Sequence, residues 1–292
     1  MKTANIYITI ALSAVVVGTV GGVLIKRYAM EEDIVYEGDT SSLELDAGAL
    51  LKRYESYKGN SPETEFTATE LVNIGLEKYR TCENSYSYGV GVAKTIVEQQ
   101  IRNYQIKNGD EYFEESISTS SMVSIANRMK QTGKTGDVAL LKGNATDTEV
   151  GDYNVTPIVY SQSDYATLMG RTLDKMFIYI ISNSTVTSSQ VNKQDGDLVI
   201  DVDLDPTFAT VNYKLQMKNI SGLDKLPKFE YVKLKFTFDS EMYLKTMSVD
   251  EKYEATMFAM TVPITNEINY YYYPNQELTI PADSESLDYS RR

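Results

Sequence analysis

The chain has 292 residues and a formal net charge of -13, with 23 tyrosines, one cysteine, and neither histidine nor tryptophan. The missing histidine excludes Ser-His-Asp and Cys-His catalysis and any zinc site that needs imidazole, and the lone Cys82 excludes an internal disulfide or a cysteine-only zinc site. The acidic balance and the lack of clustered Lys and Arg argue against nucleic acid as a partner, while a hydrophobic fraction of 42% is enough for a packed core.

The first element is a run of 22 uncharged residues, 4–25. At roughly 1.5 Å per residue it is long enough to cross a hydrocarbon core of about 30 Å. Lys2 precedes it and Lys26-Arg27 closes it, with no small-x-small cleavage site before polar sequence. Residues 1–29 are therefore expected to be a short cytoplasmic tail and an uncleaved transmembrane anchor. The membrane is then the first partner, and the acidic remainder lies outside the cell. No cysteine follows the run, so attachment in the manner of a bacterial lipoprotein is excluded. Ala14, Gly18 and Gly22 fall at i, i+4, i+8. Such a small-residue face permits close pairing of two copies through the membrane helix, although small residues are also common in membrane helices generally.

Residues 30–65, rich in Glu, Asp, Ser, Gly and Lys, are expected to form a juxtamembrane stalk with one helix-compatible patch, LDAGALLKRYESY. A folded domain is expected over 66–280. It opens with a helix in FTATELVNIGLEKYRTC: Thr67 and Glu70 form a capping box, Phe66 and Leu71 a hydrophobic staple, and Leu71, Val72, Ile74, Leu76 and Tyr79 an apolar stripe. In SYSYGVGVA, Tyr86, Tyr88, Val90 and Val92 alternate with Ser and Gly, a strand with one bulky and one nearly bare face. Asn108-Gly109 then reads as a hairpin turn between two further strands. Residues 123–159 suggest short strands, and SQSDYATLMG a short helix capped by Ser161 or Ser163. MFIYIISNSTVTSSQV reads as a strand region ending at a turn around Asp195-Gly196.

The acid-rich stretch DGDLVIDVDLDP, from Asp195, decides how much chemistry is available. Leu198, Ile200, Val202 and Leu204 alternate with Asp197, Asp201, Asp203 and Asp205, the period of a half-buried strand with its acids in water. A calcium hand beginning at Asp201 needs Gly at its sixth position and Glu at its twelfth, where this chain has Pro206 and Asn212. Asp205-Pro206 reads instead as an N-cap and first turn, with Phe208, Val211 and Leu215 expected to be buried. Three long strands close the domain: KFEYVKLKFTFD, EMYLKTMSVDEKYEATMF and AMTVPITNEINYYYYP. Residues 281–292 are expected to be a flexible tail.

Other motifs fail. TGKTG (132–136) lacks the leading Gly of a phosphate-binding loop, and Lys134-Thr135-Gly136 has no Ser-x-x-Lys companion. The sequons at Asn144, Asn154, Asn183 and Asn219 matter only in a eukaryotic secretory route.

The helix TATELVNIGLEKY, the strand-to-helix passage VDLDPTFATVNYKLQMKN, and the closing strands through VDEKYEATMF and INYYYYP together resemble the bacterial lipoprotein-carrier superfamily, over about residues 66–274. That family comprises periplasmic lipoprotein carriers and mycobacterial envelope lipoproteins. The resemblance implies an α+β fold in which a curved, unclosed antiparallel sheet, a half-barrel, packs on a few helices and shelters an apolar cavity. It implies no catalytic residue and no cofactor. The absent lipidated cysteine and the added membrane helix depart from the family and weigh against a shuttle role. Two functions follow. One is a membrane-tethered, non-catalytic binding module for a lipid or other apolar ligand in the cell envelope, with an aromatic and aliphatic lining lacking matched buried charge. The other is an envelope protein-protein interaction or structural protein with a filled core. A metal site and an enzyme rank below both.

Overall fold

A computed structural model describes residues 40–282, apart from 96, 122–123, 146–149, 154–155, 176, 222 and 258. The expected membrane run, with Ala14, Gly18 and Gly22, lies outside the described residues, and among those described no helix is long and apolar enough to cross a membrane.

Two helices lead, α1 (Ala47–Ser56) and α2 (Ala68–Thr81). The strands β1 (Asn84–Lys94), β2 (Glu98–Asn108), β3 (Glu111–Thr119), β4 (Ser124–Thr132), β5 (Val138–Ala145), β6 (Val150–Tyr153) and β7 (Ile158–Tyr160) follow. After α3 (Gln162–Met169) come β8 (Val186–Gln194) and β9 (Asp197–Leu204), then α4 (Pro206–Ala209) and α5 (Val211–Ser221). The chain closes with β10 (Lys228–Phe238), β11 (Leu244–Met257) and β12 (Met260–Pro274). This is the element order expected from the sequence.

All described strand pairings are antiparallel, in the order β6-β5-β4-β3-β2-β1-β12-β11-β10-β9-β8, with β7 on β5. The result is a curved, unclosed antiparallel sheet with few helices. Its two halves meet where β1 pairs with β12, which brings the two ends of the domain together at the middle of the sheet. Register shifts in the β10–β11 and β8–β9 pairs add local bend and twist. The hairpin turns lie where Gly109 (φ 59°) and Asp195-Gly196 (φ 52° and 90°) take left-handed backbone.

The inner face of the sheet is covered by helices. The capping box forms as expected: Glu70 N donates to Thr67 Oγ1 at 3.3 Å, and Thr67 N donates to Glu70 Oε2 at 2.8 Å. Burial alone would raise the Glu70 carboxyl, but the Thr67 amide and hydroxyl and the Arg53 guanidinium outweigh it and hold it low. Leu71, Val72 and Ile74 pack with Leu198, Ile200, Val202, Leu234, Phe236 and Phe238 of the C-terminal strands. A Cβ on Gly75 would lie 2.1 Å from Phe238 Cε1, so glycine lets α2 seat closely on the sheet. Within the expected stalk, α1 packs on this helix: Leu51 belongs to the same core, and Arg53 bridges Glu65 and Glu70. On the other half, Tyr165 and Met169 of α3 cover Tyr112, Met129 and Leu140.

The outer face carries the bulky side of β1. Tyr88, Tyr104, Ile106 and Phe113 form a cluster roofed by Leu278 and Ile280 of the segment after β12. That segment is held further along, since Lys130 Nζ and Arg128 Nη1 donate to the carbonyls of Pro281 and Ala282 at 2.8 Å and 2.9 Å. Arg128, fully buried, also donates from Nε and Nη2 to Glu115 Oε1, which accepts from the Tyr153 hydroxyl as well.

Two local expectations are corrected. Residues 177–182 are not strand: they cross the inner face as an irregular strap, and the strand begins only at Val186. The strap's backbone is satisfied elsewhere, with Ile180 N donating to Ala209 O at 2.9 Å and Asn73 Nδ2 to Ile181 O at 2.9 Å. The helix after Asp205 breaks at Thr210, and the turn thus created buries Tyr213 and Met217 while Phe208 and Leu215 stay half-buried.

Candidate functional site

The strap, the helices and the sheet leave two adjoining cavities on the inner face, which share Phe177, Tyr179 and Tyr272. The outer cavity has a volume of about 540 Å³. Leu76 and Tyr79 of α2, Tyr272 of β12, and Phe177, Tyr179, Ile180 and Ile181 of the strap give it apolar walls. Tyr79 and Tyr272 meet edge to face with ring centroids 5.0 Å apart. Charged groups stand on the same lining: Arg80 bridges Glu77 at 2.7 Å and Asp174 at 3.4 Å, and Lys175 bridges Glu44 at 2.6 Å. The Tyr79 hydroxyl is buried, lies near Ser85 and Ser87, and makes no hydrogen bond among the described residues.

The inner chamber is smaller, about 110 Å³. It exists because the N-terminal half of the sheet turns its small and polar residues inward. Register pairs Gly89 with Asn103, Ser87 with Gln105, Gln105 with Glu114 and Asn103 with Ser116, so these side chains share one face. Ser116 Oγ donates to Asn103 Oδ1 at 2.7 Å, Asn103 Nδ2 to the Tyr270 hydroxyl at 3.1 Å, and Gln105 Nε2 to Glu114 Oε2 at 3.2 Å. Arg171, on the loop after α3, sets its Nη2 2.8 Å and 2.6 Å from the two oxygens of Glu114. Burial works against the Arg171 charge, but the Glu114 carboxylate more than offsets this and holds the guanidinium firmly protonated.

Glu251 of β11 faces the same chamber and is fully buried, with no cation against it among the described residues. Tyr179 donates to Oε2 at 2.6 Å, and Tyr213 and Asn266 donate to Oε1 at 3.2 Å and 3.0 Å. Burial pushes this carboxyl above the ordinary range, and the three donors recover only part of the cost. The lining is thus not the purely aromatic and aliphatic surface expected. It contains one matched buried ion pair and one buried carboxyl held by neutral donors.

The residues singled out from the sequence lie elsewhere. Ala14, Gly18 and Gly22 fall outside the described residues. The aspartates of β9 stand on its outward face, where Asp197 meets Lys245, Asp201 meets Lys235 at 3.7 Å, and Asp203 accepts from Ser188 Oγ at 2.7 Å. Among the described residues no group of three or more metal-ligating side chains occurs. Cys82 is buried at the end of α2, and burial pushes its thiol up. Glu114, Arg171 and Glu251 were not legible beforehand. The one signal was Glu114-Glu115, adjacent acids in a strand that must face opposite sides of the sheet.

A scan against protein-family models and a search of curated proteins found no match to this chain.

Proposed function

We propose that the protein is a membrane-tethered, non-catalytic binding module of the cell envelope, holding an amphipathic small molecule between its sheet and its helices. The observation that carries this is the outer cavity of about 540 Å³, within the range of roughly 300–1,000 Å³ typical of small-molecule sites. Its aromatic and aliphatic wall suits a single acyl chain or ring system, since each buried methylene contributes about 0.8 kcal/mol without a directional partner. The rim of Arg80, Asp174 and Lys175 suits a polar or charged end. A guest with several acyl chains is too large for that volume. The curved, unclosed sheet over helices supports the likeness to lipoprotein carriers. The tether rests on the uncharged run 4–25 and its flanking Lys26-Arg27.

The alternative, an interaction protein with a filled core, draws on the opposite half of the sheet, where Leu71, Ile74, Phe236 and Phe238 fill the space between α2 and the strands. The cavity lies beside that filled region, which favours binding. Because the chain has no tryptophan, Phe177→Trp in the full-length protein gives a single reporter in the cavity wall. Titration with decanoate below its micelle threshold should give a saturable blue shift that Leu76→Phe removes. A linear, unsaturable response in both proteins would overturn the reading.

A further inference from the structure

The inner chamber presents acceptors with no positive charge to meet them. Among the described residues its one cation, Arg171, is already spent on Glu114. Glu251 has only neutral donors, from Tyr179, Tyr213 and Asn266. The same Asn266 gives its Nδ2 to Glu251, which fixes the amide orientation and leaves Oδ1 as a second acceptor on the chamber. That oxygen is buried and has no hydrogen-bond partner among the described residues. Natively buried polar atoms are nearly always paired, so an orphaned acceptor beside a buried carboxyl marks a missing donor. The surroundings are aromatic: Tyr179 and Tyr213 stand edge to face at 5.5 Å, and Tyr270 and Tyr272 lie 6.3 Å apart.

We propose that the inner chamber binds a small organic cation, a primary ammonium on a short carbon stem, through Glu251 and the Oδ1 of Asn266. An ammonium carries three donors and no acceptor, which matches a carboxylate oxygen, an amide oxygen and one further acceptor. Tyrosine faces attract a cation as well as its carbon stem. At about 30 Å³ per water, the roughly 110 Å³ chamber has room for three or four non-hydrogen atoms. The cation also supplies the charge that the buried carboxyl lacks, and so favours the ionised form of Glu251. The groups that face Glu251 are Tyr179 from the strap, Tyr213 from α5, Tyr253 from its own strand, and Asn266 and Tyr270 from β12, while Asp250, the next residue of its strand, acts on it from the opposite face; among these described residues none is cationic. This site adjoins the outer cavity and shares Tyr179 with it, but the proposal does not depend on a guest there.

The test is isothermal titration of the full-length protein with four probes: n-propylammonium, n-propanol, butyrate and potassium. Saturable binding of n-propylammonium is expected, with binding of the other three weaker by on the order of tenfold or more. Glu251→Gln, which keeps the side-chain shape, should weaken n-propylammonium by on the order of tenfold. The probe comparison on the wild-type chain needs no variant, so a folding defect in Glu251→Gln leaves the test intact. Absence of saturable n-propylammonium binding, equal binding of n-propanol, or equal binding of potassium would each overturn the proposal.

Discussion

The ring of Tyr270 lies where a side chain on Gly89 would be: a Cβ there would stand 2.5 Å from Tyr270 Cε1. The two residues pair across β1 and β12, at the seam between the two halves of the sheet. The bare side of the Ser-Gly alternation in β1 therefore makes room for the tyrosines of β12, which in turn wall the inner chamber. Gly89→Ala should displace the ring, break the Asn103–Tyr270 hydrogen bond and cost about 1–3 kcal/mol as overpacking. Urea denaturation measures the loss. A wild-type midpoint would contradict this packing.

Arg171 joins the loop after α3 to β3 through Glu114, and both side chains are buried. Arg171→Met leaves a carboxylate without its cation and should cost about 3–5 kcal/mol. Combining it with Glu114→Gln should recover a large share of that loss. A double-mutant cycle gives the coupling directly, and additive losses would mean the pair does not act as a unit.

Glu251 makes stability depend on pH in the sense opposite to most paired carboxylates. Burial raises its proton affinity in the native state above the unfolded value. Its contribution is therefore fully present below the ordinary carboxylate range and is lost as pH rises toward the native value. Glu251→Gln should match wild type in acid and become the more stable protein near neutrality, by about 1.4 kcal/mol for each tenfold change in proton affinity. Denaturation series across pH check this. A difference that stays flat or shrinks with rising pH would contradict it.

On β9, Asp197, Asp201 and Asp203 lie on the outward face while Asp205 caps α4, its Oδ1 accepting from Thr207 N at 2.8 Å. Asp205→Ala should cost about 1 kcal/mol, and Asp203→Asn less than about 0.5 kcal/mol. Millimolar calcium should leave the melting temperature of all three proteins unchanged beyond general screening. A saturable stabilisation that Asp203→Asn abolishes would contradict the strand reading.

Local signals read correctly wherever neighbours in sequence settle the structure. The Thr67–Glu70 box, the Asn108-Gly109 turn, the Asp205 cap and the closing strand KFEYVKLKFTFD are such cases. The strap misled because Phe177, Ile178, Tyr179, Ile180 and Ile181 have the composition of a strand. Its hydrogen bonds to Ala209 and Asn73 come from distant segments, which no local pattern reports. The chamber was hidden for the same reason. Period-two alternation tells which residues share a face, but the pairing of Glu114 with Arg171, 57 residues away, is a product of topology.

The central claim is that the outer cavity holds a guest. Full-length wild-type protein and Leu76→Trp, purified side by side from the native host, can be extracted with organic solvent and compared by mass spectrometry. Leu76 stands on the cavity wall, so the larger ring fills the space and leaves surface lipid unaffected. A single-chain or ring-bearing amphiphile is expected at near-stoichiometric yield from wild type and is expected to be lost from the variant. Identical extracts from the two proteins would contradict it.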